Sequence, residues 1–318
     1  MRTLMVLLLL GDAGAAQAET IFVSNERDNT VSVIDGESLK LTATIATGRR
    51  PRGLALSIDQ RSLFVAVGDD NRIDVIDTRT FKLTGSIPSG PDPERFAVHP
   101  DGKRLFIANE NDNLVSIADL AQQRITGEIE VGVEPEGMAV SQDGRTVLNT
   151  SETTSMLHVI DAARGELTGN QLVDTRPRSA AVSPDGKRYW VTSEIRGTLT
   201  ALDSADLSVK AHLRFEVPGV TPELVQAVGL VLTADGRRAY VALGPSNHVA
   251  EVDTGTAQVT HLYLVGQRVW NIALSPDEKR LYTANGNSND VSVIDLVDQS
   301  VTATIPVGRA PWGVAVKK

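Results

Sequence analysis

Charged and aromatic side chains recur along this chain at one fixed phase. Arg52, Glu94, Glu136 and Arg178 each follow a proline and stand 42 residues apart, and Val228, Trp270 and Trp312 continue the phase after a single interval of 50. Side chains repeated at one phase are delivered to one place by whatever structure carries the repeat. Gathered there, Arg52 can pair with Glu94 and Glu136 with Arg178 while the tryptophans cap the core, which is the plainer reading. The same groups could instead take a planar, multiply anionic ligand, because aromatic faces stack and guanidinium forks grip carboxylates bidentately. On that reading Trp270 and Trp312, with Arg268, Arg309 and Arg50 close by, form the binding pole. Glu94 and Glu136, flanked by Arg52 and Arg178, form the other side.

A second series repeats a glutamate at Glu26, Glu110, Glu152 and Glu194, with Gly68, Gly244 and Gly286 at the equivalent positions. Glu110, Glu152 and Glu194 could hold a divalent cation if they converged, or they could accept hydrogen bonds from Arg176 and Arg178. No compact oxygen-ligand spacing is present, so arginine pairing is the stronger reading. Histidine offers little: His99, His158, His212 and His261 fall on strands or on the opposite end of the repeat, leaving His248 as the one candidate for the ligand face. The chain has no cysteine, which excludes thiolate metal sites and covalent c-type haem attachment, and no Gly-x-Ser-x-Gly nucleophile motif.

The positioning elements follow from the same period. Asp35, Asp77, Asp119, Asp161, Asp203, Asp253 and Asp295 end apolar runs at intervals of 42, with one of 50 between Asp203 and Asp253. Short alternating runs at this period predict an all-β, seven-bladed propeller with four antiparallel strands per blade. In one repeat the strands are expected around Phe96–Val98, Leu105–Ala108, Leu114–Ile117 and Arg124–Ile129, joined by turns at Asp101-Gly102 and Asp119. The recurring aspartates read as turn caps. Ala55, Ala97, Ala139, Ala181, Ala273 and Ala315, with Val231 as the exception, put small side chains on the crowded inner strand.

The chain enters at Ile21–Asn25, which matches a second strand, and leaves at Trp312–Val316, which matches a first strand. One blade is therefore expected to join a C-terminal inner strand to three N-terminal strands, which removes exposed sheet edges. The eight extra residues of the long interval (50 less 42) enlarge the segment 215–226. That segment is expected to project from the ligand face as a lid, a docking loop or a tolerated excursion.

Residues 1–18 read as a signal peptide, with Arg2, an apolar run over Leu4–Leu10 and an Ala16-Gln17-Ala18 cleavage site. A single domain over 19–318, exported to the periplasm or secreted, is expected to remain. A formal charge of -9 repels nucleic-acid phosphate at long range, and no later segment is apolar for long enough to span a bilayer.

Phe22-Val23-Ser24-Asn25, Phe106-Ile107-Ala108-Asn109 and Tyr282-Thr283-Ala284-Asn285, each followed by a Val-Ser-Val-Ile-Asp-like strand, resemble the YVTN family of β-propeller repeats. Val131–Met138, Asn149–Thr154 and Leu264–Trp270 are similar to exported propellers associated with PQQ-dependent alcohol catabolism. The resemblance implies a periplasmic, non-enzymatic binding or scaffold protein serving a quinoprotein pathway. PQQ is its possible ligand, and a quinoprotein dehydrogenase or a cytochrome is its possible partner. The tryptophan docking repeat and adjacent cysteines of the PQQ dehydrogenases are absent. The alternative is a lactonase-like hydrolase with a carboxylate or metal site at the same mouth.

Overall fold

A computed structural model describes residues 19–318; the expected leader, 1–18, lies outside the described residues. Seven four-stranded antiparallel sheets are arranged as blades. In the first blade the inner strand is Pro311–Lys317, followed outward by Thr20–Asn25, Thr30–Asp35 and Lys40–Ala46. The ring is thus closed by pairing the chain ends, with Ile21 opposite Val316 and Phe22 opposite Ala315. The inner strands of the next six blades are Pro51–Leu56, Pro93–Val98, Pro135–Val140, Pro177–Val182, Leu230–Leu232 and Val269–Leu274.

The seven aspartates do cap the outer hairpins: Asp35 accepts from the Ser38 amide at 2.7 Å, and Asp77 from that of Thr80 at 2.7 Å. Each turn then closes on a residue in left-handed backbone four positions on, among them Leu39, Phe81 and Leu207 at φ 53°, 57° and 60°. Bulky residues adopt this region at a cost that only a turn fixed on both sides would bear. The capped carboxylate and the strand register on either side supply that constraint.

Burial explains why the ring holds together without disulfides. There is one apolar cluster at each of the seven blade-to-blade interfaces, such as Phe106, Val147 and Ile160 between the third and fourth blades. Second strands are buried on both faces, as in Ile21-Phe22-Val23, whereas outer strands are largely exposed. Ala97 packs in an interface cluster, and larger inner-strand residues such as Leu54, Phe96 and Met138 line the central channel.

The long segment corrects one expectation. Instead of projecting as a whole, it folds back: Phe215, Val217 and Val225 are buried in the cluster between the fifth and sixth blades. Only the turn around Pro218–Leu224 stays outside, with a short 3-10 helix at Pro222–Leu224. Alternate apolar residues at its start keep the period-2 rhythm of a strand, so burying them gains more than solvating them. The sixth inner strand is shortened to Leu230–Leu232 in consequence.

Candidate functional site

Two backbone devices build the channel mouth. Six of the seven inner strands, all but Leu230–Leu232, open with a register shift against the neighbour, as between Pro51 and Leu54, Pro93 and Phe96, and Pro135 and Met138. Such bulges re-aim side chains, and here they release Arg52, Glu94 and Glu136 from the ladder toward the channel mouth. Two residues earlier, Arg50, Asp92, Glu134, Arg176 and Arg268 all sit in left-handed backbone with φ between 57° and 62°. Asparagine side chains from the preceding blade hold this turn: Asn29 accepts from the Arg50 amide at 3.0 Å, and Asn247 from the Arg268 amide at 2.9 Å.

The charged residues that sequence reading placed in one ring are brought together. Arg52 donates to Glu94 at 2.5 Å and also to Glu26 at 3.2 Å; Arg50 donates to Glu94 at 2.7 Å and to Asp92. Across the mouth Arg178 is buried among three carboxylates, with Glu136 at 3.4 Å, Glu194 at 3.7 Å and Glu152 hydrogen-bonded to its guanidinium. Arg176 bridges Glu152 at 2.7 Å and Glu194 at 3.2 Å.

Burial sets the protonation of this network. It opposes the charge on Glu94, but Arg52 and Arg50 outweigh it and hold the carboxyl down at about 2. Glu136, also buried, is pushed up to about 7 despite Arg178, with Glu94 and Glu152 adding repulsion. Glu110 is pushed up to about 8 by burial and by the neighbouring Glu94.

Three expectations are corrected. Glu110 does not join Glu152 and Glu194: it lies with Glu94 and Asp92, their ligand atoms within 4.8 Å, while Glu152 and Glu194 share Arg176 and Arg178. The binding pole does not assemble as expected either. Arg50 sits on the glutamate side, and Arg309 points outward, 69% exposed and paired with Asp28 at 2.5 Å. Arg309 stands three residues before Trp312, as Arg49 does before Arg52, and Arg49 is likewise paired outward, with Asp70 at 2.8 Å. Trp312 is 2% exposed, between Arg52 and Arg95 whose guanidiniums lie 5.8 Å and 5.1 Å from its ring. Arg268 covers Trp270 at 4.2 Å and reaches Glu194 at 3.3 Å.

A recess of about 280 Å3 remains beside Trp270, lined by Glu26, Arg27, Arg52, Asn287, Asn289 and Arg309. It opens where the glutamate of other blades is replaced by Gly286, whose missing Cβ would stand 2.5 Å from the Trp270 indole nitrogen. Sequence reading missed Asp92, Arg95, Asn271 and Gln226. Asp92 shares the repeat position of Arg50, Arg176 and Arg268, so phase alone could have found it. His248 bonds the Ser246 carbonyl at 2.6 Å, a local contact.

Fold and site together define a class, a seven-bladed propeller whose channel is narrowed at one end by an ion-paired mouth. The chain belongs to the YNCE-like beta-propeller family, whose sequence pattern matches residues 10–317. No curated protein matches it. Among solved structures it is similar to the hydrazine synthase of Kuenenia stuttgartiensis, at 21% identity and TM-score 0.78 over 87% of this chain and 92% of that one. A candidate 6-phosphogluconolactonase of Bacteroides fragilis matches at 18% identity and TM-score 0.79, over 96% and 100% of the two chains. A functionally unknown protein of Desulfotomaculum acetoxidans matches at 15% identity and TM-score 0.79, over 93% and 98%. Identities this low speak for the fold alone.

Proposed function

We propose that this chain is an exported, non-enzymatic binding or scaffold protein accessory to a quinoprotein alcohol-oxidation pathway, and that the recess beside Trp270 takes one carboxylate-bearing edge of a planar anion such as PQQ. The observation that carries this reading is the make-up of the recess: three arginines, Arg27, Arg52 and Arg309, and one carboxylate, Glu26, line it beside an indole. Arg27 has no ion-pair partner among the described residues. An aromatic plane beside one guanidinium free of ion pairing, that of Arg27, suits a planar carboxylate ligand. The lactonase-like alternative lacks such support, because Glu110 stands apart from Glu152 and Glu194, and those two are already paired with arginines.

Fluorescence titration tests the proposal. PQQ added to the mature protein should quench Trp270 saturably, and Trp270→Leu should remove that part of the signal. Arg27→Ala should weaken binding by about tenfold, the scale of one lost charge-assisted contact. No saturable quench at high micromolar PQQ would refute the assignment.

A further inference from the structure

Below the mouth, one side chain breaks the rule of its position. The residues after the ring of charges are Gly53, Arg95, Gly137, Ser179, Gly229, Asn271 and Gly313. Glycine is required at several of them because the next blade's backbone comes so close: a Cβ on Gly53 would stand 2.7 Å from the Glu94 carbonyl, and on Gly313 2.5 Å from that of Arg52. Arg95 alone sends a charged side chain into the channel. It crosses the axis to donate to Asn271, whose own amide nitrogen donates to the Trp312 carbonyl at 2.9 Å and so keeps its oxygen turned toward Arg95.

The Arg95 charge is poorly compensated. Its nearest carboxylate, Glu136, is 4.0 Å away and is engaged at 3.4 Å by Arg178. Its Nε is buried with no hydrogen-bond partner. Burial, only partly offset by Glu136, lowers its pKa to about 10. A largely enclosed guanidinium, its side chain 19% exposed, with a buried donor to spare calls for an anion.

Beside it lies a cavity of about 210 Å3, walled by Leu54, Phe96, Met138, Leu230, Ile272 and Val314 in addition to Arg95, Asn271 and Trp312. We infer that the channel is a second binding site, for a small monocarboxylate whose head group meets Arg95 and whose remainder lies in a space bordered mainly by polar groups. At roughly 30 Å3 per non-hydrogen atom the space holds about seven such atoms, the size of butanoate or pentanoate. Arg95 is the one cation of the cavity lining, which disfavours dicarboxylates. The site shares no cation with the recess beside Trp270 and does not depend on what binds there.

Calorimetric titration of the mature protein with butanoate tests the inference, with acetate and butyramide as comparison ligands. Butanoate should bind saturably, and acetate should compete with it for the same site. Butyramide, which lacks the charge, should bind at least about tenfold more weakly. Arg95→Gln, which preserves a donor to Asn271, should cost a similar factor. Met138→Trp, which fills the cavity without touching Arg95, should abolish binding. Arg27→Ala should leave butanoate binding unchanged, which separates this site from the mouth recess. Failure of butanoate to saturate at millimolar concentration, equal binding of butyramide, or undiminished binding by either channel variant would overturn it.

Discussion

Replacing Arg178 by methionine isolates the electrostatic logic of the mouth. The Arg178 side chain is 6% exposed, and the carboxylates it touches, on Glu136, Glu152 and Glu194, are 3%, 2% and 6% exposed. Removing one partner of a buried ion pair strands the other and costs about 3–5 kcal/mol. Arg176 still neutralises Glu152 and Glu194, which puts the expected loss at the lower end, about 3 kcal/mol. For a chain of this size that lowers the melting temperature by about 5 °C. The pH dependence is the sharper readout. Without the guanidinium, Glu136 and Glu152, already raised by burial, have folded-state pKa values further above the unfolded value of about 4.3, so the folded state binds more protons than the unfolded one. Stability of the variant therefore falls as pH rises above about 4.3, through the folded pKa of Glu136, which is about 7 even with Arg178 present. Urea denaturation of both proteins at pH 5 and pH 8 should show a penalty markedly larger at pH 8. A penalty under about 1 kcal/mol at pH 8, or one equal at both pH values, would refute the buried-network reasoning.

Four other outcomes are expected. Glu110→Gln should stabilise the protein at pH 9 and leave it nearly unchanged at pH 5: the folded pKa of about 8 is raised, by burial first and then by Glu94, so this carboxyl's contribution is present at low pH and lost as pH rises through that value; urea midpoints against pH check this. Anion affinity at the mouth recess should rise as pH falls from 9 to 6, because Glu110 and Glu136 take up protons near pH 8 and 7; quench titrations across that range would refute it if affinity stayed flat. Deleting Pro311–Lys318 removes the first blade's inner strand and uncovers Ile21, Phe22 and Val23, each 0% exposed, so calorimetry should show loss of the single cooperative unfolding transition. On the proposed export the mature protein should begin at Glu19, and an intact mass retaining Met1 would contradict a cleaved leader.

The fold was legible because its signals repeat. Each blade carries the same capped aspartate and the same left-handed residue four positions on, and six of the seven carry the same inner-strand alanine, so an ambiguous segment such as Leu230–Leu232 is settled by its six counterparts. The mouth was legible in part for the same reason: Arg52, Glu94, Glu136 and Arg178 share a phase, and the bulge opening each inner strand delivers that phase to one place. Phase also had the power to reject Arg309, which stands with outward-facing Arg49, but closeness in sequence to Trp312 concealed it. The folding back of Phe215 and Val217 was visible in their alternation, and was hidden by treating the added length as one loop.

What repetition could not reveal is which partner each charged side chain chooses once the blades meet. The guanidiniums that cover Trp312 come from Arg52, on the next blade, and from Arg95, which lies 217 positions away in the chain (312 less 95). Such pairings depend on the ring diameter and on how far each side chain reaches, quantities that no local pattern encodes. Arg95 marks where the two kinds of information meet. Its chemistry is ordinary for a surface, and only its position among glycines, at a depth where four other blades admit no side chain beyond hydrogen, turns it into a charge that must be answered inside the channel. In a repeat fold, then, a residue is informative by how far it departs from its counterparts at the same phase, and the departures here converge on the mouth and the channel beneath it.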